Sequence, residues 1–211
     1  MRIRTVGIST LIPLALVATL LLSAGCATVA DDYHIAAGTQ EERGYSSVAG
    51  NIEVGSSARI GNAKTVSGNI EIGEQSRVGT LSSVAGRIRI EANVKVDGSI
   101  KTVAGDIEIA RGCTITGDVG TVAGQITVTD SVVNGSVTLN GGTLALNGTR
   151  VSGALRIERP DDGDAEGAEV TIGAGSEVTK VFVEKDARAH LRIHRTAKVG
   201  PIKGAEPEYY D

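Results

Sequence analysis

The chain has no tryptophan, one phenylalanine and four tyrosines among 211 residues, so it cannot fill a core with large rings. Residues 46–157 contain no aromatic at all, which removes the ring platforms a sugar-binding groove normally offers. Histidine is scarce too: His34, His190 and His194 are the whole supply of the commonest general base. What is abundant is glycine, with 28 residues, beside Val and Ile, which favour strands. The core this composition allows is built from stacked aliphatic side chains.

Residues 54–79 read VGSSARIGNAKTVSGNIEIGEQSRVG, with an aliphatic at Val54, Ile60, Val66, Ile72 and Val78, six apart each time. A half-buried strand shows period two and a surface helix period 3.6, so neither explains this spacing. Taken in threes, the hexads resolve into SVAGNIEV, TVSGNIEI, SVAGRIRI, TVAGDIEI and TVAGQITV. Their glycines, Gly50, Gly68, Gly86, Gly105 and Gly124, stand 18, 18, 19 and 19 apart. Two residues on, Ile52, Ile70, Ile88, Ile107 and Ile126 recur. A second set of hexads begins at Val54, Ile72, Ile90, Ile109 and Val128, and a third at Ile60, Val78, Val96, Ile115, Val133 and Val151.

Three short units in an 18-residue repeat describe one coil of a three-sided parallel β-solenoid. Each hexad supplies a strand and a corner, with its first and fifth residues inward. The Ile series then forms one core column. Ala58, Ser76, Val94, Cys113 and Val132 form another, in which Cys113 is a small buried filler. The glycines mark tight corners, where positive φ is common. The pattern drifts but survives through Gly142, Leu144, Leu146 and Val151, and resumes at Val170-Thr171-Ile172-Gly173. Between them, ERPDDGDAEGAE (158–169) has turn residues and no strand pattern, so it reads as an acidic loop at a corner. The expectation is a solenoid over 46–202 of about eight coils, roughly 38 Å long at ~4.8 Å per coil. Residues 26–45 read as a polar tether and 203–211 as an acidic tail. The residues alone leave the handedness open.

The first 25 residues read as a secretory signal peptide: Arg2 and Arg4, an apolar stretch from Val6 to Leu22, then small residues before Cys26. Pro13 and the short span argue against a transmembrane anchor. LLSAGC resembles the bacterial lipobox, departing from it in having Ser23 three before the Cys and Leu22 four before. The resemblance implies cleavage after Gly25, diacylglycerol on the Cys26 sulfur and N-acylation; Ala27 after it implies the outer membrane. Several acyl chains hold a membrane firmly where one is marginal. With Cys26 modified, Cys113 is the only thiol left, which excludes a disulfide framework. The leader removes two of 21 basic residues, leaving 19 against 25 acidic ones. An acidic balance argues against a nucleic-acid partner.

IGNAKT, IGEQSR and VGSSAR resemble the hexads of hexapeptide acyltransferases. That resemblance implies a His general base in a projecting loop, and none of the three histidines lies mid-solenoid. His190 and His194 would make a metal pair on a helix, but on a strand they stand ~13 Å apart. Asp161, Asp162, Asp164, Glu166 and Glu169 lack EF-hand spacing and read as a solvated loop. No cofactor, metal or catalytic residue is expected.

VDGSI, VAGDIEI, ITGDV, VSGALRI and VTIGAGSEV resemble the bactofilins, polymer-forming bacterial scaffold proteins, over about residues 46–202. The resemblance implies a right-handed three-sided helix, self-association end to end, and no cofactor. An exported, lipidated chain departs from the cytoplasmic pattern of that family. The same units are also similar to putative-adhesin β-solenoid domains with VSGDIEV-type repeats. The function these readings imply is a lipid-anchored envelope scaffold or spacer, with a surface adhesin-like module as the alternative.

Overall fold

The computed structural model describes residues 31–159 and 167–211. They form an all-β parallel solenoid of about nine turns, with about 19 residues per turn. Most strands are two or three residues long, and each pairs in parallel with the strand one turn before and one turn after it. A strand that short buries nothing alone; its neighbours complete the core. At ~4.8 Å per turn the rod is roughly 43 Å long.

On the first face, Ile52, Ile70, Ile88, Ile107, Ile126, Leu144 and Val170 stand in register in one column. All seven are fully buried. Two residues on, Val54, Ile72, Ile90, Ile109, Val128, Leu146 and Ile172 form a second column, and the residue between each pair points out. The second face buries Ala58, Ser76, Val94 and Cys113 with Ile60, Val78, Val96 and Ile115. The third buries Ala63, Leu81, Ile100, Val119, Val137, Leu155 and Val181.

Three sequence expectations are corrected. The ladder is longer than 46–202, and hence has about nine turns rather than eight. Tyr33–Ile35 pairs with Ile52–Val54, and Glu208–Tyr210 pairs with Arg192–His194. Each of these two strands has one neighbour among the described residues and is only three residues long, too short to show the hexad pattern. Second, Val48, Val66, Val84, Val103 and Val122, the first residues of their hexads, do not point inward; Ser47, Thr65, Ser83, Thr102 and Thr121 do. Third, Val132 pairs with Thr114, so Ser131 rather than Val132 stands above Cys113. Residues 160–166 of the acidic loop lie outside the described residues. Glu169 already pairs with Thr143, so the insertion ends before it and skips no turn.

Ile88→Asp places an unpaired carboxylate in the fully buried column and is expected to destabilise the rod by about 3 kcal/mol or more. Arg89→Ala removes only exposed ion pairs, to Glu91 and Glu108, at a cost of at most about 1 kcal/mol. Urea denaturation of both variants checks the assignment; equal loss would place both side chains in one environment.

Candidate functional site

Cys26 lies outside the described residues. The sequence-derived glycines meet at one corner, between the third face and the first. Gly50, Gly68, Gly86 and Gly105 have ordinary φ; of the five, only Gly124 is in the positive region, at 144°. Their requirement is close approach. A Cβ on Gly68 would lie 2.2 Å from the Gly50 carbonyl oxygen, on Gly86 2.0 Å from that of Gly68, and on Gly105 2.1 Å from that of Gly86. The left-handed turns are at another corner and mostly fall on other residues: Ser57, Gln75, Asn93 and Asp130 have φ of 57°, 60°, 60° and 43°. There the column continues through Gly112, at 75°.

The close approach explains the buried hydroxyls. Thr65 donates its Oγ1–H to the Gly50 carbonyl at 3.0 Å, and Ser83 donates to Gly68 at 3.3 Å. Thr121 repeats the bond to Gly105 at 3.3 Å. A valine there would leave a buried carbonyl with one partner fewer, so the [ST]-V-[SA]-G order turns the hydroxyl in and the valine out. Thr102 Oγ1 is the buried exception, without a partner among the described residues. The residue after the glycine completes the corner. Asn51 Oδ1 accepts the Asn69 N–H at 2.9 Å, Asn69 Oδ1 that of Arg87 at 3.0 Å, and Asp106 Oδ1 that of Gln125 at 3.0 Å. At a second corner Asn62 Oδ1 accepts the Thr80 N–H at 2.7 Å, and Asp118 Oδ1 that of Ser136 at 2.8 Å.

Outside, the first face carries Arg87 and Arg89 against Asp106, Glu91 and Glu108. The second stacks Arg59, Arg77 and Lys95 on successive turns, answered by Glu42 and Asp97. The hydrogen bond from Arg77 is the main cause that holds the Asp97 carboxyl below its ordinary value. Aromatic rings sit near the two ends. Tyr33 packs edge-on to Tyr45 at 5.2 Å, with the Arg43 guanidinium 4.7 Å from the Tyr45 ring. At the other end Tyr210 is packed edge-on by His194 and approached by Arg192 at 5.0 Å.

The three histidines do not converge. His34 pairs with Glu53 at 2.9 Å, His190 with Glu208 at 3.0 Å, and His194 Nδ1 lies 2.9 Å from Thr196 Oγ1. Cys113 is buried, and burial pushes its thiol up, away from the reactive thiolate. Among the described residues, no group of three or more His, Cys, Asp or Glu side chains is placed to hold a metal ion. Sequence reasoning missed the hydroxyl column, although Ser or Thr precedes every valine of that motif. The chain matches no family model, no curated protein and no solved structure.

Gly86→Ala is expected to destabilise the rod by about 3 kcal/mol or more, because the new methyl meets backbone that cannot swing aside. Gly38→Ala, at φ 74° with open space around it, carries only the left-handed penalty of about 1–2 kcal/mol. Thermal melts that ranked Gly38→Ala as the worse of the two would contradict the close-approach account.

Proposed function

We propose that the chain is a lipid-anchored envelope protein whose rod serves as a non-enzymatic scaffold or spacer. The observation that carries this reading is the filled interior: aliphatic columns run turn after turn along the length of the rod. Such a body is stiff and presents fixed rows of side chains, which suits holding two things apart or together. The LLSAGC stretch supplies the anchor, with Cys26 as the lipidated residue in the outer membrane and the rod on its periplasmic side. Self-association through the ends is disfavoured in this reading. An open solenoid end offers unpaired N–H and C=O groups to another copy. Here the end strands carry charge, which discourages edge pairing: Tyr33–Ile35 bears the His34–Glu53 pair at one end, and Glu208–Tyr210 brings the pairs His190–Glu208 and Arg195–Asp211 to the other.

Cys26→Ser is expected to abolish palmitate labelling and release the protein from the membrane fraction; equal label in parent and variant sinks the anchor. Protease added to intact cells should leave the rod uncut, and digestion would favour the adhesin-like alternative. Residues 27–211, which hold every described strand, should appear as single short rods in electron microscopy. Long filaments would overturn the reading that charge on the end strands keeps copies apart.

A further inference from the structure

The third face differs from the other two in what answers its charges. Every ion pair found between described residues lies on the first or second face, at their corners, or at the chain ends. The third face carries Lys64, Lys101, Arg156 and Lys203 at outward strand positions, with Lys180 at its leading corner. None of these five pairs with an acid among the described residues, and no outward strand position of this face is acidic. The acids lie at the corners: Asp118 shares the leading-corner column of Lys180 and accepts the Ser136 N–H at 2.8 Å, and Glu158 and Glu184 stand at the trailing corner, where Glu184 accepts the Arg159 N–H at 3.1 Å. In a chain of net charge −4, a face whose outward strand positions carry cations and no acid is a segregation of charge.

The same face gathers exposed apolar groups. Four large hydrophobic side chains are exposed among the described residues, and three belong here: Val48 at 40%, Val122 at 42% and Phe182 at 43%. Phe182 pairs in register with Arg156 on the turn before and Lys203 on the turn after. Arg156, Lys180, Phe182 and Lys203 line one depression together with Ala154 and Pro201. The two valines lie along the trailing corner.

The geometry points to this third face as a docking surface for an anionic lipid bilayer. A polyanionic polymer would need only the cations. A bilayer takes both parts of the surface: anionic headgroups attract Lys and Arg, while Phe and Val enter the boundary beneath them. The inference adds to the proposed anchor the side on which the rod would lie. Tyr33 is seven steps along the chain from Cys26, a reach of at most ~25 Å, so a lipid there keeps the rod's first turns near the bilayer. The surface itself does not depend on that anchor.

The test uses residues 27–211, unlipidated, so that failure of the anchor and failure of the surface are read separately. The fragment is sedimented with vesicles of phosphatidylcholine alone and of phosphatidylcholine mixed equally with phosphatidylglycerol. Binding is expected only to the mixed vesicles, and to fall as salt is raised. Lys101→Gln with Lys203→Gln should weaken it on the order of tenfold, whereas Lys95→Gln with Lys198→Gln on the second face should change it by less than about twofold. Both pairs remove the same charge from the surface, so thermal melts close to the parent's are expected for each. Phe182→Trp gives the chain its only tryptophan, and its emission should shift to the blue on mixed vesicles. Equal loss from both faces, an unshifted emission or no binding to the mixed vesicles overturns the proposal. Binding to dextran sulfate without binding to vesicles also overturns it and assigns the face to a polyanionic polymer.

Discussion

The rod depends on one contact, the approach of backbone to backbone at the glycine corner. From Gly50 to Gly142 each turn rests on the one before it so closely that a Cβ would meet a carbonyl oxygen at 2.0–2.3 Å. That contact fixes the height of a turn where its chain passes from the third face to the first. The strands leaving it are then level with their neighbours, and Ile stacks on Ile. The buried hydroxyls and the Asn and Asp acceptors follow from the same constraint. Carbonyls and amides brought this close and shut away from water need partners, and short polar side chains supply them.

A structure held by nearest neighbours has a particular weakness at its two ends, where one neighbour is missing. The chain's four tyrosines are spent there. Tyr45 stands below Ala63, where the inward column narrows to a methyl group and leaves space for a ring beneath it. At the far end the terminal strand is fixed by its pairing with Arg192–His194 and by outward contacts of Arg192, His194 and Arg195. The middle turns spend their outward positions differently: mutual ion pairs on two faces and unanswered cations on the third.

Much of this was legible in the sequence because the repeat is regular. An inward isoleucine every 18 or 19 residues carries both the fold class and the register of the first face. Spacing was a poor guide where two constraints met at one corner. Val66 fits the sixfold series yet points outward, because Thr65 is needed inside for the Gly50 carbonyl. Ser131 displaced Val132 for a related reason: its hydroxyl accepts the Cys113 N–H at 3.0 Å and donates to the Ala110 carbonyl at 2.7 Å. Hydrophobicity alone ranks valine above serine and cannot see a carbonyl one turn away. The terminal strands escaped notice because a three-residue strand with one neighbour carries almost no pattern. The cationic face was hidden for another reason. Lys64, Lys101, Arg156 and Lys203 are scattered through a chain of acidic balance, and only the turn length brings them to one side.

The central claim is that the corners are bonded from turn to turn as the strands are, so the rod is one continuous ladder. Amide hydrogen exchange, resolved residue by residue, tests it most directly. Asn69, Thr80 and Arg87 donate their N–H groups to side-chain oxygens of the preceding turn, while Ile70 and Ile88 donate to backbone carbonyls of the next. The account predicts that these corner amides exchange within about tenfold of the two strand amides. Corner amides that exchange at rates near those of an unfolded chain, beside protected strands, would contradict it.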